Sequence, residues 1–263
     1  MKLIRFEYGG EIGYGVLEDD RVRPLIGSVF GEYGLADATL ATGEVRLLAP
    51  VAPPNVIAIG LNYRSHAGES GEAPPERPII FLKATTSVIA HNDAITLPRA
   101  APGEVDYEAE LCVVIGKTAK NVSEADAHDY ILGYTCGNDV SARDCQLRYD
   151  SQWARGKSFD TFCPLGPHIE TEIADPDNII IRSRLNGKQM QCSNTGNMIF
   201  STSYLVSYCS RNMTLAPGTV IMTGTPEGVG FARKPPVFLR DGDIVEVEAE
   251  GIGVLANRVK TER

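Results

Sequence analysis

The chain has 263 residues, long enough to bury a substantial core in one large domain or in a large one with a small appendage. With 43% hydrophobic and 22% charged residues and no low-complexity tract, it reads as an ordered globular protein rather than a disordered one. A net charge of -9 without any Lys/Arg cluster argues against nucleic acid as a partner, and means that an acidic substrate must be held by local cations.

Residues 1 to about 50 alternate short strand-like pieces, Leu3 to Tyr8, Ile12 to Leu17 and Arg21 to Leu25, with a hairpin expected at Gly9-Gly10. This describes a small β-rich N-terminal domain over 1–52 with no chemistry of its own. Pro50, Pro53 and Pro54 mark the boundary with a larger domain over 53–263.

The larger unit opens with Asn55 to Gly60, a buried-strand pattern, and continues into Leu61-Asn62-Tyr63-Arg64-Ser65-His66-Ala67-Gly68-Glu69. On a helical turn His66 and Glu69 share a face, and a carboxylate beside an imidazole fixes its tautomer and raises its basicity, as a general base requires. A surface His-Glu pair beside a loop is the plain alternative. The Gly- and Pro-rich stretch after Glu69 reads as a loop suited to a lid. Ile79 to Lys83 is a strand ending in a cation, and Lys83 is a candidate for a substrate carboxylate or for solvent.

Val105-Asp106-Tyr107-Glu108-Ala109-Glu110 then leads into Leu111-Cys112-Val113-Val114-Ile115. Alternation on a strand points Glu108 and Glu110 the same way, about 7 Å apart at their backbones. Beyond them Leu111, Val113 and Ile115 occupy one face and Cys112 and Val114 the other, the pattern of a strand entering a core. Two anions at its mouth lose hydration and repel each other unless a cation lies between them, and a hard divalent ion with oxygen ligands is the economical one. A wet strand face is the alternative.

Ser123-Glu124-Ala125-Asp126 resembles a helix start. The buried strand Ile131 to Gly137 delivers Asp139, where a third carboxylate can meet the first two, and Arg143 and Gln146 follow three residues apart as candidates for a substrate's carboxylate and carbonyl. Lys157 lies in a segment rich in aromatic and rigid residues from Trp153 to Pro167. A hairpin with a primed turn is expected around Asn186-Gly187, then a helix from about Ile199 to Ser210. A strand over 220–222 ends in Thr223-Gly224-Thr225-Pro226-Glu227-Gly228-Val229-Gly230, whose glycines permit close approach of a ligand. It lacks the pattern of a phosphate loop. Strands over 244–248 and 253–259 close the chain.

No stretch is apolar for long enough to span a bilayer, and MKLIRFEYGG lacks a signal peptide's apolar core, so no membrane partner and a cytoplasmic location are expected. The six cysteines at 112, 136, 145, 163, 192 and 209 include no C-x-x-C pair and read as reduced core or near-core residues, with only Cys163 placed near a site.

Seven pieces in order, among them G-x-N-Y-x-x-H-x-x-E, D-x-E-x-E-L-x-x-V-I-G-K, N-D-V-S-x-R-D-x-Q, K-x-F-D-T-F-x-P-x-G-P, N-G-x-x-x-Q and L-x-P-G-x-x-I-x-T-G-T-P-x-G-V-G, resemble the fumarylacetoacetate hydrolase family over about residues 56 to 259. The resemblance implies an α+β fold, a mixed β-roll, with Mg²⁺ or Mn²⁺ as cofactor and commonly a homodimer. It implies Glu108, Glu110 and Asp139 as metal ligands and His66 and Glu69 as the pair that activates water. Lys157 is then catalytic as well, while Arg143, Gln146 and Thr225 hold the 2-oxo acid.

The activity so implied is hydrolysis of a carbon-carbon bond in an acylpyruvate, such as fumarylpyruvate or acetylpyruvate, with release of pyruvate. The same centre also suits decarboxylation of oxaloacetate, or isomerisation of unsaturated 2-hydroxy or 2-oxo diacids in aromatic catabolism. A non-catalytic protein whose three acids bind a structural Ca²⁺ is the reading from a different class. Lys83, Arg143, Gln146 and Lys157 around the acids argue against it, since a structural site needs no substrate cations.

Overall fold

A computed structural model describes residues 1–262 as a mixed α+β molecule built on two large β-sheets, with a two-stranded one between Val105–Asp106 and Ser141–Ala142 and a few short helices. In the larger, thirteen-stranded sheet, Ala109–Ile115 lies between two antiparallel neighbours, Ile131–Asn138 and Val220–Met222. Val56–Gly60 runs parallel to Val220–Met222 and carries Ile79–Lys83 on its outer side. On the opposite flank Cys163–Glu170 follows Ile131–Asn138 and pairs in turn with the first strand of the chain, Lys2–Tyr8. The N-terminal strands therefore extend the same sheet, with Glu11–Glu18 and Arg21–Gly27 stacked outward.

The second sheet has five strands, in the order Ala94–Leu97, Gly253–Thr261, Ile244–Ala249, Ile180–Leu185 and Lys188–Asn194. The turn between the last two sits at Asn186-Gly187 with φ of 52° and 78°, the primed turn whose twist matches its strands.

Alternation in Ala109–Ile115 decides the layers. Leu111, Val113 and Ile115 pack with Ile181, Val247 and Leu255 of the second sheet and with Leu205, Val206 and Cys209 of helix α3, Thr202–Asn212. Cys112 and Val114 pack on the other face with Leu3, Val56, Leu165 and Met222. Helix α3 starts where Ser201 Oγ accepts from the Tyr204 amide, a cap two to three residues inside the expected start.

The helix expected after Ser123 is not formed. Ser123 and Asp126 close a local turn on each other, and only a 3-10 segment, Ala127–Tyr130, fits before the chain must enter the strand at Ile131. All six cysteines are unbridged; Cys163 is a core residue 3.9 Å from the Met222 sulfur, and burial pushes its thiol up to about 12. No helix among the described residues is long and apolar enough to cross a membrane.

Candidate active site

Register places the site. Ala109 pairs with Asn138, so the last residues of Ile131–Asn138 lie beside the first of Ala109–Ile115, and Asp139 donates its amide to Glu108 O at 2.9 Å. Cys112 pairs with Met222 on the other side, so the chain past Met222 runs along Leu111, Glu110 and Ala109. Thr223 N donates to Leu111 O, Gly224 N to Glu110 Oε2 at 2.7 Å, and Thr225 Oγ1 to Ala109 O at 2.9 Å. Val56–Gly60, parallel to Val220–Met222, ends at this same edge and delivers Asn62 and helix α1, Arg64–Glu69. Asn62 ties that corner down by donating to the carbonyls of Thr223 and Phe200.

Here Glu108, Glu110 and Asp139 are all buried, and one oxygen of each lies within 4.8 Å of the others. Their charges are unevenly met. Lys157, at the end of the short helix α2, Ala154–Lys157, donates to Glu108 Oε2 at 2.8 Å and to Asp139 Oδ2 at 2.7 Å. Arg143 Nη2 lies 2.7 Å from Glu108 Oε1. Burial alone would raise the Glu108 carboxyl, but Lys157, Arg143 and His66 outweigh it and hold it well below the usual range.

Glu110 has only the Gly224 amide. Burial, and then the neighbouring Asp139 and Glu108 carboxylates, push it well above the usual carboxylate range. A buried acid of this kind, in an all-oxygen cluster, is what a hard divalent cation completes. The residues present therefore fit such an ion, held by Glu108, Glu110 and Asp139.

Above the cluster, His66 Nδ1 lies 2.9 Å from Glu69 Oε1, a bond that orients the ring and, in the neutral imidazole, assigns the proton to Nδ1 and the free lone pair to Nε2. Glu69 in turn accepts from Gly228 N at 2.9 Å, and Ser65 of the same helix donates to Glu227. Helix α1 is thus fastened to the segment after Thr225. His66, Glu108, Glu110, Asp139, Arg143, Gln146, Lys157 and Thr225 all line one cavity of about 350 Å³, and Glu69 stands behind His66.

Lys83 departs from expectation. It is buried, lies outside the cavity lining, and donates to Asp139 Oδ1 at 2.5 Å and to Val140 O at 3.3 Å. Its strand runs antiparallel to Val56–Gly60, with Lys83 opposite Val56 at the end remote from Gly60, so the side chain reaches Asp139 from behind. It meets neither substrate space nor solvent.

Two residues without an expected role complete the site. Asp106 is fully buried and accepts from Gly230 N at 2.8 Å, Phe231 N at 3.0 Å and Arg143 Nε at 2.9 Å. The Phe231 ring lies 4.4 Å from the Arg143 guanidinium carbon, so one carboxylate fixes both the cation and its aromatic platform. Gln191 donates to Thr225 Oγ1 at 2.8 Å and to Pro226 O at 2.9 Å, which occupies the Thr225 hydroxyl on both sides. The D-x-E-x-E and N-G-x-x-x-Q spacings carry both residues; the roles depend on partners 125 and 34 positions away.

A buried cluster of acids and cations with a histidine-carboxylate pair over it, in a cavity at one edge of a mixed sheet, defines an enzyme site suited to a divalent metal. Residues 55–260 match the family described as fumarylacetoacetate (FAA) hydrolase C-terminal, and residues 1–50 match one described as Rv2993c-like, N-terminal. The chain belongs to the fumarylacetoacetate hydrolase family. It is similar to an oxaloacetate tautomerase, mitochondrial, of Xenopus laevis, with 48% identity over 84% of this chain and 70% of the frog protein. It is also similar to the solved 5-carboxymethyl-2-hydroxymuconate delta-isomerase of Mycobacterium smegmatis, at 42% identity and TM-score 0.90 over 100% of both chains. A third likeness is the fumarylacetoacetate hydrolase of Exiguobacterium antarcticum, at 40% identity and TM-score 0.89 over 100% of both chains.

Proposed function

We propose that this enzyme catalyses proton transfer at carbon 3 of a 2-oxo acid, interconverting its keto and enol forms, with oxaloacetate as a substrate. One observation carries the reading: an imidazole with Nδ1 engaged by Glu69 and Nε2 left free, lining the cavity that also holds the three acids. The names of the Xenopus and Mycobacterium smegmatis relatives, a tautomerase and an isomerase, support it.

A divalent cation, Mg²⁺ or Mn²⁺, at Glu108, Glu110 and Asp139 would polarise the substrate's oxygens and stabilise negative charge developing on them. In this reading His66 Nε2 takes the proton from carbon 3 and returns it to the oxygen on carbon 2, and Glu69 stabilises the imidazolium between the two transfers. Lys157 and the Arg143 N–H groups hold the acid's carboxylate end, with Gln146 and the Thr225 hydroxyl framing it. Asp106 and Gln191 keep Arg143 and Thr225 in place.

The expected hydrolysis of an acylpyruvate is the second reading, because the same free Nε2 can take its proton from a water instead. The decisive experiment follows the enol absorbance of oxaloacetate with enzyme and Mg²⁺, with enzyme and EDTA, and without enzyme, beside pyruvate release from acetylpyruvate. EDTA-sensitive acceleration of the absorbance decay supports the tautomerase. Pyruvate release from acetylpyruvate alone replaces it with the hydrolase, and carbon dioxide release from oxaloacetate replaces it with a decarboxylase.

A further inference from the structure

We propose that, among 2-oxo acids longer than oxaloacetate, the cavity favours those whose distal tail is apolar and discriminates against long diacids carrying a terminal carboxylate. The inference rests on the 2-oxo acid reading above and names the substrate class within it.

Charge is the first argument. Four carboxylates line the cavity, Glu72, Glu108, Glu110 and Asp139, and the only lysine and arginine among its lining residues are Lys157 and Arg143. Both cations are held against the acids: Lys157 between Glu108 and Asp139, Arg143 between Asp106 and Glu108. A divalent ion would bring the four lining acids and two lining cations to balance, and that ion with its flanking cations is spent on the carboxylate and oxo group at the reacting end. A second carboxylate several carbons away finds no cation on the wall, and it finds Glu72 there. An anion held against the apolar wall loses hydration without compensation, and one that reaches the rim stands beside the exposed Glu72 carboxylate.

The wall itself is the second argument. Away from the acids the cavity is bounded by Ile59, Leu61, Ile79, Phe81, Leu147 and Trp153. The indole of Trp153 lies so close over Gly60 that a Cβ there would stand 2.4 Å from its ring, and it meets Phe81 edge-on at 5.6 Å. That contact makes a broad, rigid aromatic surface where the strand Val56–Gly60 ends. At the mouth, Ile79 and Leu147 are 36% and 52% exposed, so apolar surface continues from the interior out to the rim. An alkyl or aryl tail buries apolar surface along its whole length here.

A matched pair tests this: 2-oxooctanoate and 2-oxooctanedioate, which differ only in the terminal carboxylate. Their binding to the Mg²⁺-loaded enzyme is measured by calorimetry, and exchange of carbon-3 protons for deuterium is followed by NMR on the same samples. We expect 2-oxooctanoate to bind at least tenfold more tightly, and Leu147→Arg at the exposed mouth to narrow the gap at least fivefold by tightening the diacid. Equal or tighter binding of the diacid by the wild-type enzyme overturns the proposal, as does a ratio that Leu147→Arg leaves unchanged. Binding preference without any deuterium exchange would instead overturn the proton-transfer reading and leave the tail selectivity standing.

Discussion

Glu110 is the member of the acidic cluster whose charge no side chain meets, and that sets its behaviour apart from Glu108 and Asp139. Without a metal it is a buried carboxyl beside two others, and folding must either desolvate its charge or keep it protonated. Glu110→Gln keeps the shape and removes that cost. The metal-free variant is expected to melt at a higher temperature than the metal-free wild type, and Mg²⁺ should raise the Tm of the wild type but not of the variant. Calorimetry with and without EDTA checks both halves; a variant that still gains Tm from Mg²⁺ removes Glu110 from the ligand set. Lys157, by contrast, is a buried ammonium that burial alone would lower, but Asp139 and Glu108 hold it above its usual range, so it stays charged at neutral pH. Lys157→Met should cost turnover by a factor of about a hundred or more, with the buried acids left unpaired. Activity within a few fold of wild type would remove Lys157 from the reaction.

Helix α1 is six residues long, too short to be stable by itself, yet it carries the proposed proton-transfer histidine. What fixes it is its docking: Ser65 to Glu227, Glu69 to the Gly228 amide, and the Asn62 anchor just before it. Glu227→Ala is expected to lower turnover roughly tenfold while moving Tm by only a degree or two, since the side chain is peripheral to the core. Faster amide exchange confined to 64–69 would accompany the loss; unchanged turnover would show that the Ser65 contact does not hold the helix. This element also shows the reach of sequence reasoning. The three-residue spacing of His66 and Glu69 made their pairing legible, and apolar alternation in 111–115 made both buried faces legible, because each depends on neighbours within one element. Lys83 and Asp106 were not legible in the same way. Whether a strand-terminal lysine meets solvent or a buried aspartate 56 residues away is decided by sheet order, and period-two patterning carries no information about which strand lies alongside.

At the scale of the whole molecule, histidines buried in neutral form contribute to acid sensitivity, beside carboxylates such as Glu108 that are held below their usual range. Burial pushes His168, on the strand Cys163–Glu170, down to about 4 although Glu170 opposes the shift, and it lowers the half-buried His91 in the same direction. The unfolded chain binds these protons near pH 6.5, whereas in the folded chain His168 binds its own only near pH 4 and His91 is lowered in the same direction, so stability is unaffected above that window and falls as pH drops through it. For His168 the loss is on the order of 1–3 kcal/mol. Urea midpoints measured from pH 7 to pH 4 should decline accordingly, and His168→Gln should flatten the decline; an unchanged slope would place the acid sensitivity elsewhere.

The separation of the acids from the cavity mouth has a consequence for descent. Glu108, Glu110 and Asp139 hang from strands whose register is locked by packing on both faces, whereas Leu61, Ile79 and Leu147 lie at the ends of strands and in the segments between them. A substitution in the first set disturbs a buried network and the fold together. One in the second, such as at the exposed Leu147, alters only what the enzyme admits. A lineage carrying this scaffold can therefore drift between substrates through a few tolerated changes at the rim, keeping one inherited chemistry while its metabolic role is replaced.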